Sequence, residues 1–443
     1  MGRTTLFNLV EGSVVAPKGF RASGIFCDIK RLGTGKGSNK GQKRDLGLIV
    51  SEVPAAVAGM FTTSQVCAAP VKVSVKRVAG KVGQGIVVNS GNANACTGKQ
   101  GLRDAQAMTE LAGRRLGIAT EHVLVCSTGR IGVNLPMSNV TQGIMMAADA
   151  LGNSVAHGGE LAEAIMTSDT RPKQIAVEFK LGRKVVRIGG VCKGAGMIQP
   201  GMSPTGARPA TSGLHATMLG FITTDAAIPQ RLLQQALEVA VALSFNRITV
   251  DGDMSTNDTV LLLANGLAEN GKIAAGSADF RKFQAALNHV CLELARMIVR
   301  DGEGVTRFVT VTVKGARSVK DAEAAARAVA NSSLVKTSWF GGDPNWGRIL
   351  GALGYSEARI VEEKIDVAYS VPGKAELIYA LKKGQPTDVA FGTLVKLVSG
   401  PEFTLHIFLN VGKEEATIYT CDLTEEYVDF NKGDVTDPAS LGG

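Results

Sequence analysis

A threonine stands where a loose segment of the chain gives way to an apolar run. Gln199 to Leu214 holds three prolines (200, 204, 209) and three glycines (201, 206, 213), and from Thr217 the chain reads on as Met-Leu-Gly-Phe-Ile. The apolar run has the length of a buried strand. A hydroxyl at its start would be held by a rigid element, beside a loop that can be bent or cut without unfolding the core. That is a place for a nucleophile. Taken alone, a β-branched residue that merely opens a strand is the simpler account. A threonine hydroxyl is too weakly acidic to attack unaided, and no nearby His or Asp has triad spacing. Its own α-amine, with a pKa of about 8 once terminal, would serve as the base. That route requires a cut before Thr217, made by attack of its hydroxyl on the Ala216 carbonyl and hydrolysis of the resulting ester.

Other residue groupings have chemistry of their own. Val123 to Cys126 runs into Ser127-Thr128-Gly129. A buried strand ending in small residues exposes bare N–H groups, the donors an oxyanion hole needs. Such pairs are common at strand ends, so the motif alone identifies nothing. Ile165 to Lys173 packs hydroxyls with Arg171 and Lys173, which suits a turn before a strand or a site for a carboxylate-bearing ligand. Lys193 sits among Gly189, Gly190, Gly194 and Gly196 with apolar neighbours, a setting that predicts a desolvated or cavity-facing ammonium. Glu303 follows a predicted helix C-terminus, where the dipole disfavours an acid, so it suits an anchor for a positive partner. Three Asn in Asn89 to Gly98 fit a self-bonded turn and a pocket wall equally well.

Two tempting motifs fail. In Gly33 to Gly41, Lys30 stands five residues before Gly35 where a phosphate loop needs Gly, and Gly37 replaces the hydroxyl after Lys36. Asp251 to Thr259 has acidic spacing, but Asp258 stands where a calcium loop needs Gly, and no Glu closes it. The seven Cys form no Cys-x-x-Cys pair and the five His no ligand spacing, which argues against a metal site and a disulfide framework and for a reducing compartment.

These residues need elements to hold them. Strands are predicted at Leu46 to Val50, Ala58 to Thr63, Gly85 to Val88, Val123 to Cys126, 307 to 314 and Phe403 to Leu409. Helices are predicted at 103–116, 137–151, from Pro229 to about 243, at 279–300 and at 320–331. Gln199 to Leu214 reads as an irregular exposed loop. Gly and Thr interrupt the runs too often for a clean doubly wound sheet, so α+β layers are expected. At 443 residues the chain can build two or three lobes. Its net charge of +8 comes without a Lys/Arg block and with only 5% aromatics, which favours small anionic metabolites over nucleic acid. No signal peptide, myristoylation signal or bilayer-length apolar run is apparent, so a cytoplasmic protein with no membrane partner is expected.

In order, and over nearly the whole chain, Asn89–Gly98, Ser127–Gly132, Met166–Lys173, Lys193–Ile198, Ala216–Ala226, Asp253–Thr259, Met297–Gly304 and Asp343–Arg348 resemble the ornithine acetyltransferase, or glutamate N-acetyltransferase, family of arginine biosynthesis. The resemblance implies a layered α/β fold of two lobes, akin to the N-terminal-nucleophile, DmpA-like amidohydrolases. It implies self-cleavage between Ala216 and Thr217 into an α chain (1–216) and a β chain (217–443), interleaved in one globular unit and assembled as α2β2. It implies ping-pong transfer of acetyl from N-acetylornithine to glutamate through Thr217. Thr128 and Gly129 would form the oxyanion hole. Thr170, Lys193 and Thr217 would contact substrate, Glu303 would bind its distal amine, and Asn431 and Thr436 would close the pocket. No cofactor or metal is implied, and acetyl-CoA stays open as an alternative donor. The chain departs from the family in enlarged loops at 33–43 and 199–215, in Val435 where the family has an aromatic, and in its extension from Asp437 to Gly443. These departures bear on the substrate more than on the mechanism. They keep open a paralogue on the same scaffold, working as an acyltransferase, amidase or aminopeptidase on another amino-acid-like substrate. A non-enzymatic binding protein with a vestigial site would instead leave the chain uncut.

Overall fold

A computed structural model describes residues 6–30, 43–207 and 218–432. Ala216, Thr217 and Thr436, most of the 33–43 loop and residues 208–215 lie outside the described residues. The chain divides into two compact units, made of the described residues of Met1–Asn246, Asp253–Ile298 and Asn431–Gly443, and of Arg247–Gly252 and Val299–Phe430. The division does not follow the 216/217 boundary: the first unit draws strands from both sides of it.

The first unit holds a ten-stranded mixed sheet. Its strands are β1 (Asn8–Val10), β2 (Phe20–Ile25), β3 (Leu46–Thr62), β4 (Val82–Asn92), β5 (Val123–Arg130), β6 (Lys173–Leu181), β7 (Lys184–Lys193), β8 (Met202–Ser203), β9 (Leu219–Thr224) and β10 (Thr259–Ala264). The order is β1-β6-β7-β9-β10-β3-β4-β5, with β2 and β8 also pairing β3. The β9–β10 and β4–β5 pairs are parallel. Successive side chains of a strand point to opposite faces, and this alternation divides the core. Leu48, Val87 and Val125 pack with helices α1 (Ala69–Val78), α2 (Gly98–Leu116) and α3 (Met137–Asp149). Ile49, Val88, Leu124, Phe221 and Leu261 belong to a second cluster, joined by Leu161 of α4 (Val155–Ala164). The remaining helices are α5 (Gln230–Ala242) and α6 (Ala278–Arg300). Helix α6 comes close to β7: a Cβ on Gly190 would lie 2.9 Å from Leu294 Cδ1.

The second unit holds a six-stranded sheet of β11 (Phe308–Ala316), β12 (Asp366–Ser370), β13 (Ile378–Lys382), β14 (Gln385–Pro386), β15 (Glu402–Phe408) and β16 (Glu414–Cys421). Its order is β14-β13-β12-β15-β11-β16. Helices α7 (Val319–Asn331), α8 (Ser333–Phe340), α9 (Trp346–Gly354) and α10 (Phe391–Val398) pack Val329, Trp339, Leu353 and Leu394 with Val311, Phe403 and Leu405. A short α11 (Glu425–Phe430) follows β16. Strand β15 alternates as its sequence predicts, with Phe403, Leu405 and Ile407 buried between half-buried neighbours.

The structure corrects several expectations. Leu46–Val50 and all but the last residue of Ala58–Thr63 are parts of one 17-residue strand, β3, because the linking residues stay extended through a bulge in its pairing with β4. Ser127, Thr128 and Gly129 lie inside β5, which runs one residue further, to Arg130. Gln199 to Met202 is buried, not exposed loop: Met202 and Ser203 pair with β3, and Thr63 Oγ1 donates to the Gly201 carbonyl at 2.8 Å. Helix α4, rich in Gly and Ala, had no apolar period long enough to announce it.

Candidate active site

The parallel β4–β5 pair sets Asn89 beside Ser127, Ser90 beside Thr128 and Gly91 beside Gly129. Thr128 is buried. Gly129 has φ +126°, and a Cβ there would lie 2.4 Å from the Gly91 carbonyl carbon. Only glycine fits, so the backbone at 129 stays free of side-chain bulk. The loop after β4 is tied down by its own asparagines. Asn89 Nδ2 donates to the Asn92 carbonyl at 2.9 Å, Asn92 Oδ1 accepts from Asn94 N at 2.8 Å, and Asn94 Nδ2 donates to the Gly101 carbonyl at 2.9 Å. Asn257 then joins this loop to β5, donating from Nδ2 to the carbonyls of Ala93 (2.6 Å) and Ser127 (2.8 Å).

Lys193 ends β7 and is buried, as its small and apolar neighbours predict. Its Nζ donates to Thr128 Oγ1 at 3.4 Å and lies 3.9 Å from Asp169 Oδ2. Asp169 is the hub of this region. Its Oδ1 accepts from Lys173 Nζ at 2.6 Å and from Gly194 N at 2.7 Å, and its Oδ2 accepts from Thr167 N at 2.9 Å. Burial alone would raise the Asp169 carboxyl, but Lys173, Lys193 and the Gly194 N–H outweigh it and hold the group well below the ordinary carboxylate range.

Lys30 is a third buried cation. Burial pushes its ammonium down to about 8, against the pull of Asp45 and Asp169 and with a push from Lys193. Its Nζ donates to the Arg44 carbonyl at 2.6 Å, while the buried Asp45 carboxylate accepts from the backbone N–H groups of Cys27, Ile29 and Lys30. Three buried lysines and two carboxylates therefore share this part of the first unit. A buried ammonium beside Thr128, as Lys193 provides, is a setting in which a developing oxyanion is stabilised in low dielectric.

The chain continues from Met218 into β9. Met218 N donates to Asp258 Oδ1, and its carbonyl accepts from Thr259 N at 3.1 Å. Leu219 then lies between Lys193 of β7 and Thr259 of β10.

The structure thus brings Thr128, Gly129 and Lys193 into one region. Thr170 is exposed beside the buried Asp169. Glu303 belongs to the second unit and is half-buried in the turn after α6; Asn431 is exposed just after α11. Ala216, Thr217 and Thr436 fall outside the described residues. Sequence reasoning missed Asp169, Asn257, Asp258 and Lys30. Asp169 stood four residues before Lys173 in a stretch read for its hydroxyls and cations. Asn257 and Asp258 stood in a stretch read only as a failed calcium loop.

A model of the ArgJ family matches residues 24–434. The chain belongs to the ArgJ family. It is 47% identical over 422 residues to the arginine biosynthesis bifunctional protein ArgJ of Symbiobacterium thermophilum, which covers 95% of this chain and 98% of that relative. It is 44% identical over 423 residues to the protein of the same name from Geobacter sulfurreducens, covering 94% and 98%. The crystal structure of the arginine biosynthesis bifunctional protein argJ from Bacillus halodurans is 40% identical, covers 44% of this chain and 99% of that chain, and aligns with a TM-score of 0.41. The ArgJ match spans every residue of the cluster, from Lys30 to Asp258. No described helix of this ArgJ-family chain is long and apolar enough to cross a membrane.

Proposed function

We propose that this protein is a self-processing acetyltransferase that moves acetyl from N-acetylornithine to glutamate through an acetyl-threonine intermediate on Thr217. The acetyl-transfer role in arginine biosynthesis comes with membership of the ArgJ family. The cut and the ping-pong route are what this reading adds. The observation that carries it is the buried Lys193, with its Nζ on Thr128 Oγ1 and its backbone paired to Leu219, two positions after Thr217 in the chain.

In this reading the Thr217 hydroxyl attacks the Ala216 carbonyl, the peptide nitrogen leaves as the free Thr217 amine, and water hydrolyses the resulting ester to an Ala216 carboxylate and the free Thr217 hydroxyl. That amine takes the hydroxyl proton as Oγ attacks the acetyl carbonyl of N-acetylornithine. Thr128 and Gly129 bind the tetrahedral oxyanion, with the Lys193 ammonium beside them. Ornithine leaves with the proton. The amine of glutamate then attacks the acetyl ester, and Thr217 is regenerated. Thr170 and Lys193 hold the substrate, Glu303 pairs with its distal amine, and Asn431 and Thr436 close the pocket. The reaction needs no cofactor, although acetyl-CoA is open as a second donor. The α and β chains stay together, as α2β2, in the cytoplasm.

A denaturing intact-mass spectrum of the wild type beside Thr217→Ala tests the cut. Two fragments meeting between Ala216 and Thr217 are expected in the wild type and one chain in the variant. An uncut wild-type chain would sink the nucleophile. Acetyl transfer is then measured against acetate release, with and without glutamate. Release that ignores glutamate would make the protein an amidase.

A further inference from the structure

The sequence offered Asp169 no role, and the reaction proposed above does not use it. Yet its carboxylate is buried and accepts from Lys173 Nζ and from the backbone N–H groups of Gly194 and Thr167. It also lies 3.9 Å from Lys193 Nζ. We propose that Asp169 is a positioning residue for acyl transfer: its carboxylate holds the Lys193 ammonium beside Thr128. The inference rests on the reading of Thr128 and Lys193 given above.

Asp169 grips the Lys193 segment at two points. One is the ion pair to the side chain. The other is the hydrogen bond from Gly194 N, which fixes the backbone just as β7 ends; Gly194 has φ +151° there. A neutral hydroxyl at 3.4 Å returns little of the hydration that a buried ammonium has lost. The carboxylate supplies what Thr128 cannot. The charged groups linked to Lys193 through Lys30 and Asp169 come from separate parts of the fold. Lys30 follows β2, Asp45 precedes β3, Lys173 opens β6, and Asp169 lies in the turn before it. Asp169→Asn would delete the carboxylate that lies nearest the Lys193 ammonium among the ion pairs given above. Lys193 would then lose the charge that sets it beside Thr128.

The test is Asp169→Asn, which keeps the shape and the acceptor for Gly194 N while deleting the charge. Acetyl transfer (kcat/KM) is expected to fall roughly 10- to 100-fold, short of the about 10²–10³-fold cost of losing an oxyanion donor itself. The alkaline limb of the pH–rate profile should move to lower pH, because the active form needs Lys193 charged. The loss should be non-additive: Asp169→Asn combined with Lys193→Met should be no worse than Lys193→Met alone. A second readout does not depend on turnover. The Lys193 side-chain signal in NMR of lysine-labelled protein, assigned by its absence in Lys193→Met, should titrate at lower pH in the variant. If Asp169→Asn does not fold, adding Lys173→Met removes one cation with the charge it balanced, and the same shifts are expected. An unshifted Lys193 titration, or losses that multiply, would overturn the proposal. A wild type with normal Lys193 titration but no acetyl transfer would overturn the function and leave the positioning claim to stand or fall on the NMR shift.

Discussion

Each unit buries lysine beside the end of a strand, and the two do it differently. Lys336 of α8 is almost fully buried, and its Nζ donates to the Cys421 carbonyl and, at 3.2 Å, to Thr420 Oγ1, with Cys421 Sγ at 3.6 Å. Among the described residues it forms no ion pair. Three neutral acceptors at the end of β16 receive the ammonium and clamp helix to sheet. Lys173 and Lys193 instead share one carboxylate, with Lys30 close enough to feel both Asp169 and Lys193. A clamp on neutral oxygens spends its hydrogen bonds on structure. A carboxylate shared between cations leaves one of them, Lys193, aimed at a group that is not its counter-ion. The contrast teaches that burial of a lysine does not mark a site; what completes its hydrogen-bonding does.

Substituting the two lysines would break the comparison most directly. Lys193→Met is expected to lower acetyl transfer about 10²–10³-fold while moving stability by less than about 1 kcal/mol, since Asp169 keeps Lys173 as its ion-pair partner. Lys336→Met should do the reverse. Leaving the Cys421 carbonyl and Thr420 hydroxyl without their donor costs about 2 kcal/mol in a denaturant titration, with turnover per folded enzyme unchanged. Equal effects on turnover would erase the distinction.

A further effect, on stability and not on turnover, is read in pH. The Lys30 ammonium is pushed down from 10.5 to about 8, mainly by burial. Between those values the unfolded chain binds the proton and the folded chain does not, so stability rises with pH across that window. The penalty is fully present below pH 8 and relieved by about 10.5; at 1.36 kcal/mol per unit it is at most about 3 kcal/mol. Lys30→Met should flatten that rise and stabilise the protein at neutral pH. A slope that survives the substitution would place the effect on another group.

Much of the fold was legible because it is written in local period. Leu233, Ala236, Leu237, Ala240 and Val241 announce α5, Phe283, Leu287, Val290 and Leu294 announce α6, and both helices lie within about a residue of expectation. Strand β15 declares itself by alternation. The site was legible in part. Thr128 and Gly129 showed as small residues after apolar ones, and Lys193 as a charge with no polar company. Their conjunction was invisible: Lys193 and Thr128 are 65 positions apart, and Asn257 reaches back 130 to Ser127 and 164 to Ala93.

The chain alone settled which stretches are helix or strand, which face of each is apolar, and, through ordered motifs, the family to which it belongs. Those properties depend on neighbours within a turn or two of chain. The tertiary structure decided the rest: that β3 is one strand, that β7 lies against β9 so that Lys193 pairs with Leu219, and that the buried Asp169 carboxylate meets the lysines that hold it below the ordinary carboxylate range. Strand register depends on which distant partner fills the other side of the ladder, and the charge of a buried carboxylate depends on which cations the fold brings within a few ångströms. Neither is encoded in the period of any single segment.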